Sequence, residues 1–138
     1  MIRLVIDTNV YISALMFGGL PGALLDLVFL QSFVTVISPD LLDELDEKLR
    51  LKFDVSPEDA ATVLDRIAGI AQVVHPEETL QVIREDPDHD QVLECAVSGK
   101  ANYIVTGDRH LLRLGEYRGI RIMRVREFLD SIEQEPNE

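Results

Sequence analysis

Short runs of apolar, largely β-branched residues, each separated from the next by helix-forming sequence, constrain this chain most tightly. Ile2–Ile6, Phe33–Ile37, Gln72–His75, Tyr103–Thr106 and Ile120–Met123 read as strands, and most of them lack the polar alternation of a half-solvated sheet. The segments between them carry helix punctuation. Asp7-Thr8-Asn9 precedes Val10–Met16, Gly18-Gly19 interrupts it, and Pro21 opens Gly22–Gln31. Ser38-Pro39 starts a helix running to about Lys52, and Ser56-Pro57-Glu58-Asp59 starts another running to about Ile70. Further helices are expected from about His89 to Ser98, stopped by Gly99, over Asp108–Leu114, closed by Gly115, and over Val125–Ile132. Thr79–Ile83 is ambiguous. Strand–helix alternation with buried strands predicts an α/β fold, a five-stranded parallel sheet flanked by helices on both faces.

The length of 138 residues suits one domain, read as 1–132 with a polar C-terminal tail over 133–138. The single cysteine, Cys95, excludes an intrachain disulfide and a multi-cysteine zinc site. No apolar run approaches the ~18–20 residues of a membrane span. The stretch before the first acid, Met1–Ile6, is too short for a signal peptide, so a cytoplasmic protein is expected. A formal charge of -12 argues against non-specific binding of a polyanion. The bases are nevertheless localised: Arg109, Arg113, Arg118, Arg121, Arg124 and Arg126 share one segment. They form either a solvated face or a surface for RNA phosphates or an acidic partner.

In an open parallel sheet, sites lie beyond the carboxyl ends of the strands. Several acids fall at those ends. Asp7 follows the first strand, and either it or Thr8 caps the next helix or it ligates a metal with Thr8 and Asn9 beside it. In the helix after Ser38, the residues Leu41, Leu42, Leu45 and Leu49 define the buried stripe. Glu44 and Asp46 lie on its opposite borders, about 60° and about 40° from the nearest leucine, and periodicity does not choose between them. Asp86-Pro87-Asp88-His89-Asp90 lacks the Gly and Glu of a calcium loop, because Gln91 and Val97 stand at those positions. Its acids either favour a helix N-terminus or bind a cation, with Asp90 bordering the buried face. Thr106-Gly107-Asp108 is either a turn and helix cap or part of the same cluster. Converging carboxylates repel one another unless a cation sits among them, and oxygen-only ligands favour Mg²⁺ or Mn²⁺.

The ordered set Val5-Ile6-Asp7-Thr8-Asn9-Val10, Glu44 within Leu41–Leu49, Asp86-Pro87-Asp88-His89-Asp90 and Ile104-Val105-Thr106-Gly107-Asp108 resembles the PIN-domain ribonucleases, the fold of VapC-type toxins. The likeness covers nearly the whole chain. Asp-Pro-Asp-x-Asp and Phe128-Leu129 are similar to a toxin-like branch of that family. The resemblance implies a metal-dependent endoribonuclease in which Asp7, Glu44, Asp90 and Asp108 form a catalytic, metal-holding quartet. Asp7 and Asp90 would ligate Mg²⁺ or Mn²⁺ most directly. Thr8, Asn9 and Thr106 would line the pocket, with Asp86 and Asp88 as additional acids of no assigned role. The implied partners are RNA, a cognate antitoxin protein, and further copies of the chain in a homodimer or higher oligomer. Arg109 and Arg113, one helical turn apart, are the expected RNA contacts.

Two other readings compete. A phosphatase using Asp7 as nucleophile would prefer an acid two residues on, where Asn9 stands, and a lysine after a later strand. A non-catalytic PIN-like module binding RNA or protein gains from the negative charge and loses from the complete acidic quartet. Cys95 is expected in the core, and His75, His89 and His110 show no metal-ligand spacing. Met16-Phe17 and Leu24–Leu30 read as core or a dimer seam.

Overall fold

The computed structural model describes residues 1–83 and 88–134, with the side chains of Asp88 and Gln134 set aside. In chain order the elements are β1 (Arg3–Ile6), α1 (Thr8–Phe17), α2 (Gly19–Phe29), β2 (Val34–Ile37), α3 (Pro39–Leu51), α4 (Pro57–Ile70), β3 (Gln72–Val73), α5 (Asp88–Ser98), β4 (Tyr103–Val105), α6 (Arg109–Leu114), β5 (Glu116–Tyr117), β6 (Ile120–Met123) and α7 (Val125–Gln134). The sheet order is β3-β2-β1-β4-β6-β5. Every neighbouring pair is parallel except β5 with β6.

The central strands are buried on both faces, as their continuous apolar runs require. Consecutive strand residues point to opposite sides, and Leu4, Val5, Ile104 and Val105 are each 0 % exposed. Helix α5 packs across β1, β2 and β4. Its close approach depends on Gly99, where a Cβ would run into the Val36 side chain. Helices α3 and α4 begin as the sequence implies. Ser38 accepts the Leu41 amide at 3.3 Å, Ser56 accepts the Asp59 amide at 3.1 Å, and a proline follows each cap.

The expectation of a five-stranded parallel sheet needs correction: six strands are present among the described residues and the sheet is mixed. The added strand β5 returns antiparallel onto β6 through Arg118 and Gly119, whose φ values are 48° and 83°. Two successive positive φ values suit the tight primed turn that matches hairpin twist. Two residues are too few to show any strand period, which is why β5 leaves no pattern. Other differences are small: β3 ends at Val73, α2 starts at Gly19 and α7 runs to Gln134. Thr79–Ile83 adopts no regular structure.

The chain builds outward from β1 to β2 and β3, then crosses to the other side of β1 to form β4. The strand order therefore reverses between β1 and β4. In open parallel sheets such a reversal is the place where the loops leaving neighbouring strands diverge and ligands bind.

Candidate active site at the carboxyl edge of the sheet

Parallel pairing brings the first two site residues together. Ile6 is in register with Val105, so Asp7 and Thr106 leave adjacent strand ends side by side. The Asp7 amide donates to the Val105 carbonyl at 3.0 Å. The Thr106 hydroxyl donates to Asp7 Oδ2 at 2.7 Å and accepts the Asp108 amide at 3.0 Å. Asp7 is 2 % exposed and Thr106 0 %. Asp7 stands at the N-cap of α1 but makes no side-chain cap bond, so its carboxylate is not spent on the helix. Among the described residues no cationic side chain pairs with it. A buried carboxylate held by one hydroxyl has much of its charge uncompensated.

Asp108 does the opposite. Its Oδ1 caps α6, accepting the His110 and Leu111 amides at 2.9 and 3.1 Å. Its Oδ2 lies 3.4 Å from Nε2 of His89, in the first turn of α5. The His89 and His110 rings have centroids 6.3 Å apart.

Asp90 is 5 % exposed, and its Oδ1 accepts the Val82 and Ile83 amides at 2.9 and 3.0 Å. It thereby pins the irregular segment before α5 and borders an open cavity of about 710 Å³ with Thr79, Gln81 and Glu94. Asp86 lies outside the described residues, as does the side chain of Asp88.

Glu44 faces the strand ends through an intermediary. Lys48, one turn further along α3, meets Glu44 Oε1 at 2.8 Å, Asn9 Oδ1 at 3.1 Å and Thr8 Oγ1 at 3.2 Å. Thr8 is buried, and Asn9 is exposed. On the other border of the helix, Asp46 pairs with Arg50 at 3.0 Å instead. The choice that periodicity left open thus has a geometric answer: the Glu44 border meets the start of α1.

Contacts and chain neighbours now connect the acids along one edge. Glu44 joins Lys48, which joins Thr8 and Asn9; Asp7 joins Thr106, which joins Asp108; Asp108 meets His89, next to Asp90. Sequence reading missed Lys48, which looks like an ordinary i,i+4 partner of Glu44, and it missed how His89 engages Asp108. Arg109 and Arg113 are exposed on α6. Cys95 is buried, and burial pushes its thiol up to about 12, only partly offset by a hydrogen bond with Ser38. Met16, Phe17 and Leu30 are exposed at 39 %, 77 % and 75 %, so these three are not core, while Leu24, Leu25 and Val28 are.

The donor set suits a hard divalent cation. It is oxygen around Asp7, whose charge lacks a counter-ion among the described residues. Among the described residues no three His, Cys, Asp or Glu side chains close into a ligand cage. Mg²⁺ does not demand one, since it keeps several waters and is commonly held by one or two carboxylates.

Residues 3–110 match the PIN domain family. The uncharacterized protein MJ1680 of Methanocaldococcus jannaschii is 33 % identical over 147 residues, covering 96 % of this chain and 93 % of that protein. The crystal structure of PAE2754 from Pyrobaculum aerophilum superposes with a TM-score of 0.65 at 17 % identity, over 98 % of this chain and 91 % of that one, a likeness of fold. On the family match and the relative together, this chain belongs to the PIN-domain family, a nuclease-type fold whose members generally depend on divalent metal ions.

Proposed function

We propose that this PIN domain is an endoribonuclease dependent on Mg²⁺ or Mn²⁺, and the toxin of a toxin–antitoxin pair. The observation that carries the reading is Asp7: a buried carboxylate at the carboxyl ends of β1 and β4, oriented by Thr106 and, among the described residues, left without a cationic partner. Asp7, Glu44, Asp90 and Asp108 would hold the metal directly or through water. A bound divalent ion supplies Lewis-acid charge at the phosphoryl oxygens and makes water a stronger nucleophile.

The chain's own residues do the rest. Thr106 fixes the Asp7 carboxylate, leaving Oδ1 for a ligand. Asp108, with one oxygen on the α6 amides and the other toward His89, would orient the attacking water. Asn9, exposed beside Asp7, would meet the sugar–phosphate backbone. Thr8 is fully buried and would support this rim from beneath. Arg109 and Arg113 would follow the RNA beyond Asp108. In-line attack at phosphorus would leave a 5′-phosphate and a 3′-hydroxyl. An antitoxin would bind the same acidic and arginine-lined edge, with the toxin acting in the cytoplasm as a homodimer or higher oligomer.

A non-catalytic binding module is favoured by one observation, the pairing of Glu44 with Lys48 rather than with another acid. Cleavage assays separate the readings. With Mn²⁺ present, the full chain should cut a single-stranded RNA. Glu44→Gln should reduce the rate by about 100-fold or more, whereas Asp46→Asn, whose carboxylate pairs with Arg50, should stay within about twofold of the parent. Equal effects of the two substitutions, or no cleavage by the parent, would count against the enzyme.

A further inference from the structure

An ammonium group has three N–H donors. Lys48 spends them on three oxygens from two elements: Glu44 Oε1 on its own helix, and Thr8 Oγ1 and Asn9 Oδ1 in the first turn of α1. The Lys48 and Glu44 side chains are only 20 % and 21 % exposed. A surface lysine pairing four residues back is ordinarily mobile and weakly held. Here the side chain is turned into the site and saturated.

The consequence concerns the acid. Glu44 already has a monovalent cation on its carboxylate, whereas Asp7 has none among the described residues. A divalent ion that recruits Glu44 must take that oxygen from Lys48 and then stand close to a displaced positive charge, in a setting where screening is weaker than in bulk water. We propose that Lys48 is the resident counter-cation of this site, a positioning residue that competes with the divalent metal for Glu44 and so holds metal affinity down. Release of Glu44 from Lys48 would accompany metal loading, freeing the ammonium to meet an RNA phosphate. The inference rests on the metal-site reading proposed above, but its test does not require catalysis.

The test is calorimetric titration of the full chain with Mn²⁺. Lys48→Met should tighten binding by about tenfold, since the competitor is gone. Lys48→Gln, which keeps hydrogen-bonding capacity without charge, should tighten it similarly and stands in if the methionine variant folds poorly. Lys52→Met removes the same charge from the exposed C-cap of α3, four residues further on, and it should change affinity by less than about twofold. In a Glu44→Gln background the gain from Lys48→Met should vanish, because the ligand being contested is absent. Equal or weaker binding by both Lys48 variants, a gain no larger than that of Lys52→Met, or a gain that survives in Glu44→Gln would each overturn the inference. Absence of Mn²⁺ binding by the parent would instead overturn the metal-site reading, and this inference with it.

Discussion

Asp7 is the residue on which the proposed site most depends. Its carboxylate is buried, held by a single hydroxyl and by no base among the described residues, so its charge is a cost in the metal-free protein. Asp7→Asn keeps the shape and removes the charge. Without metal the variant should melt at the same temperature as the parent or higher, and added Mn²⁺ should raise the melting temperature of the parent but not of the variant. A variant that melts well below the parent in chelator would mean that the Asp7 charge is structurally compensated. Cys95 makes a second, independent expectation. Burial moves its thiol from 9.0 up to about 12, so the folded protein keeps it protonated while the unfolded chain ionises first. Its contribution to stability is therefore present below pH 9 and lost as pH rises from 9 toward about 12. Urea midpoints measured across that range should fall less steeply in Cys95→Ala than in the parent, and parallel slopes would contradict this.

At the scale of elements, the close seat of α5 on the sheet depends on Gly99. Because an added Cβ would collide with Val36 in β2, Gly99→Ala should destabilise the fold by about 1–3 kcal/mol, read from chemical denaturation. A neutral result would show that α5 shifts freely on the sheet. How far such elements can be read from sequence depends on whether their cause is local. The ends of β1 and β4 are legible, because a buried strand followed by Asp7-Thr8 or Thr106-Gly107-Asp108 announces itself within a few residues. Both serine caps are legible for the same reason. Helix α3 is half legible: its leucine stripe is plain, yet only the packing of α1 beside it distinguishes Glu44 from Asp46. The three contacts of Lys48 are illegible, since two of their partners lie about forty residues away in the chain. The bonds from Asp90 to Val82 and Ile83 come from a segment with no period at all, and β5 is too short to have one.

For the whole molecule, charge is the governing question. An acidic protein, formally -12, must attract an anionic substrate if it is a nuclease. The distribution makes this physically reasonable. The acids of the edge do not act as a bare cluster: Lys48 neutralises Glu44, the α6 amides and His89 face Asp108, and exposed Arg109 and Arg113 follow it on α6. Among the described residues neither Asp7 nor Asp90 has a cationic partner, and on the proposed reading a divalent cation there would add positive charge at the scissile phosphate. No single helix among the described residues is long and apolar enough to cross a membrane. We propose that this edge uses a divalent ion at Asp7 to cut RNA. The most direct test is the rate at which the purified full chain cleaves an end-labelled single-stranded RNA with Mn²⁺ or with chelator, run beside Asp7→Asn. The parent should cleave only with Mn²⁺, and a folded Asp7→Asn protein should lose about 1000-fold or more in rate. Cleavage that persists in chelator, or at parental rate in Asp7→Asn, would contradict it.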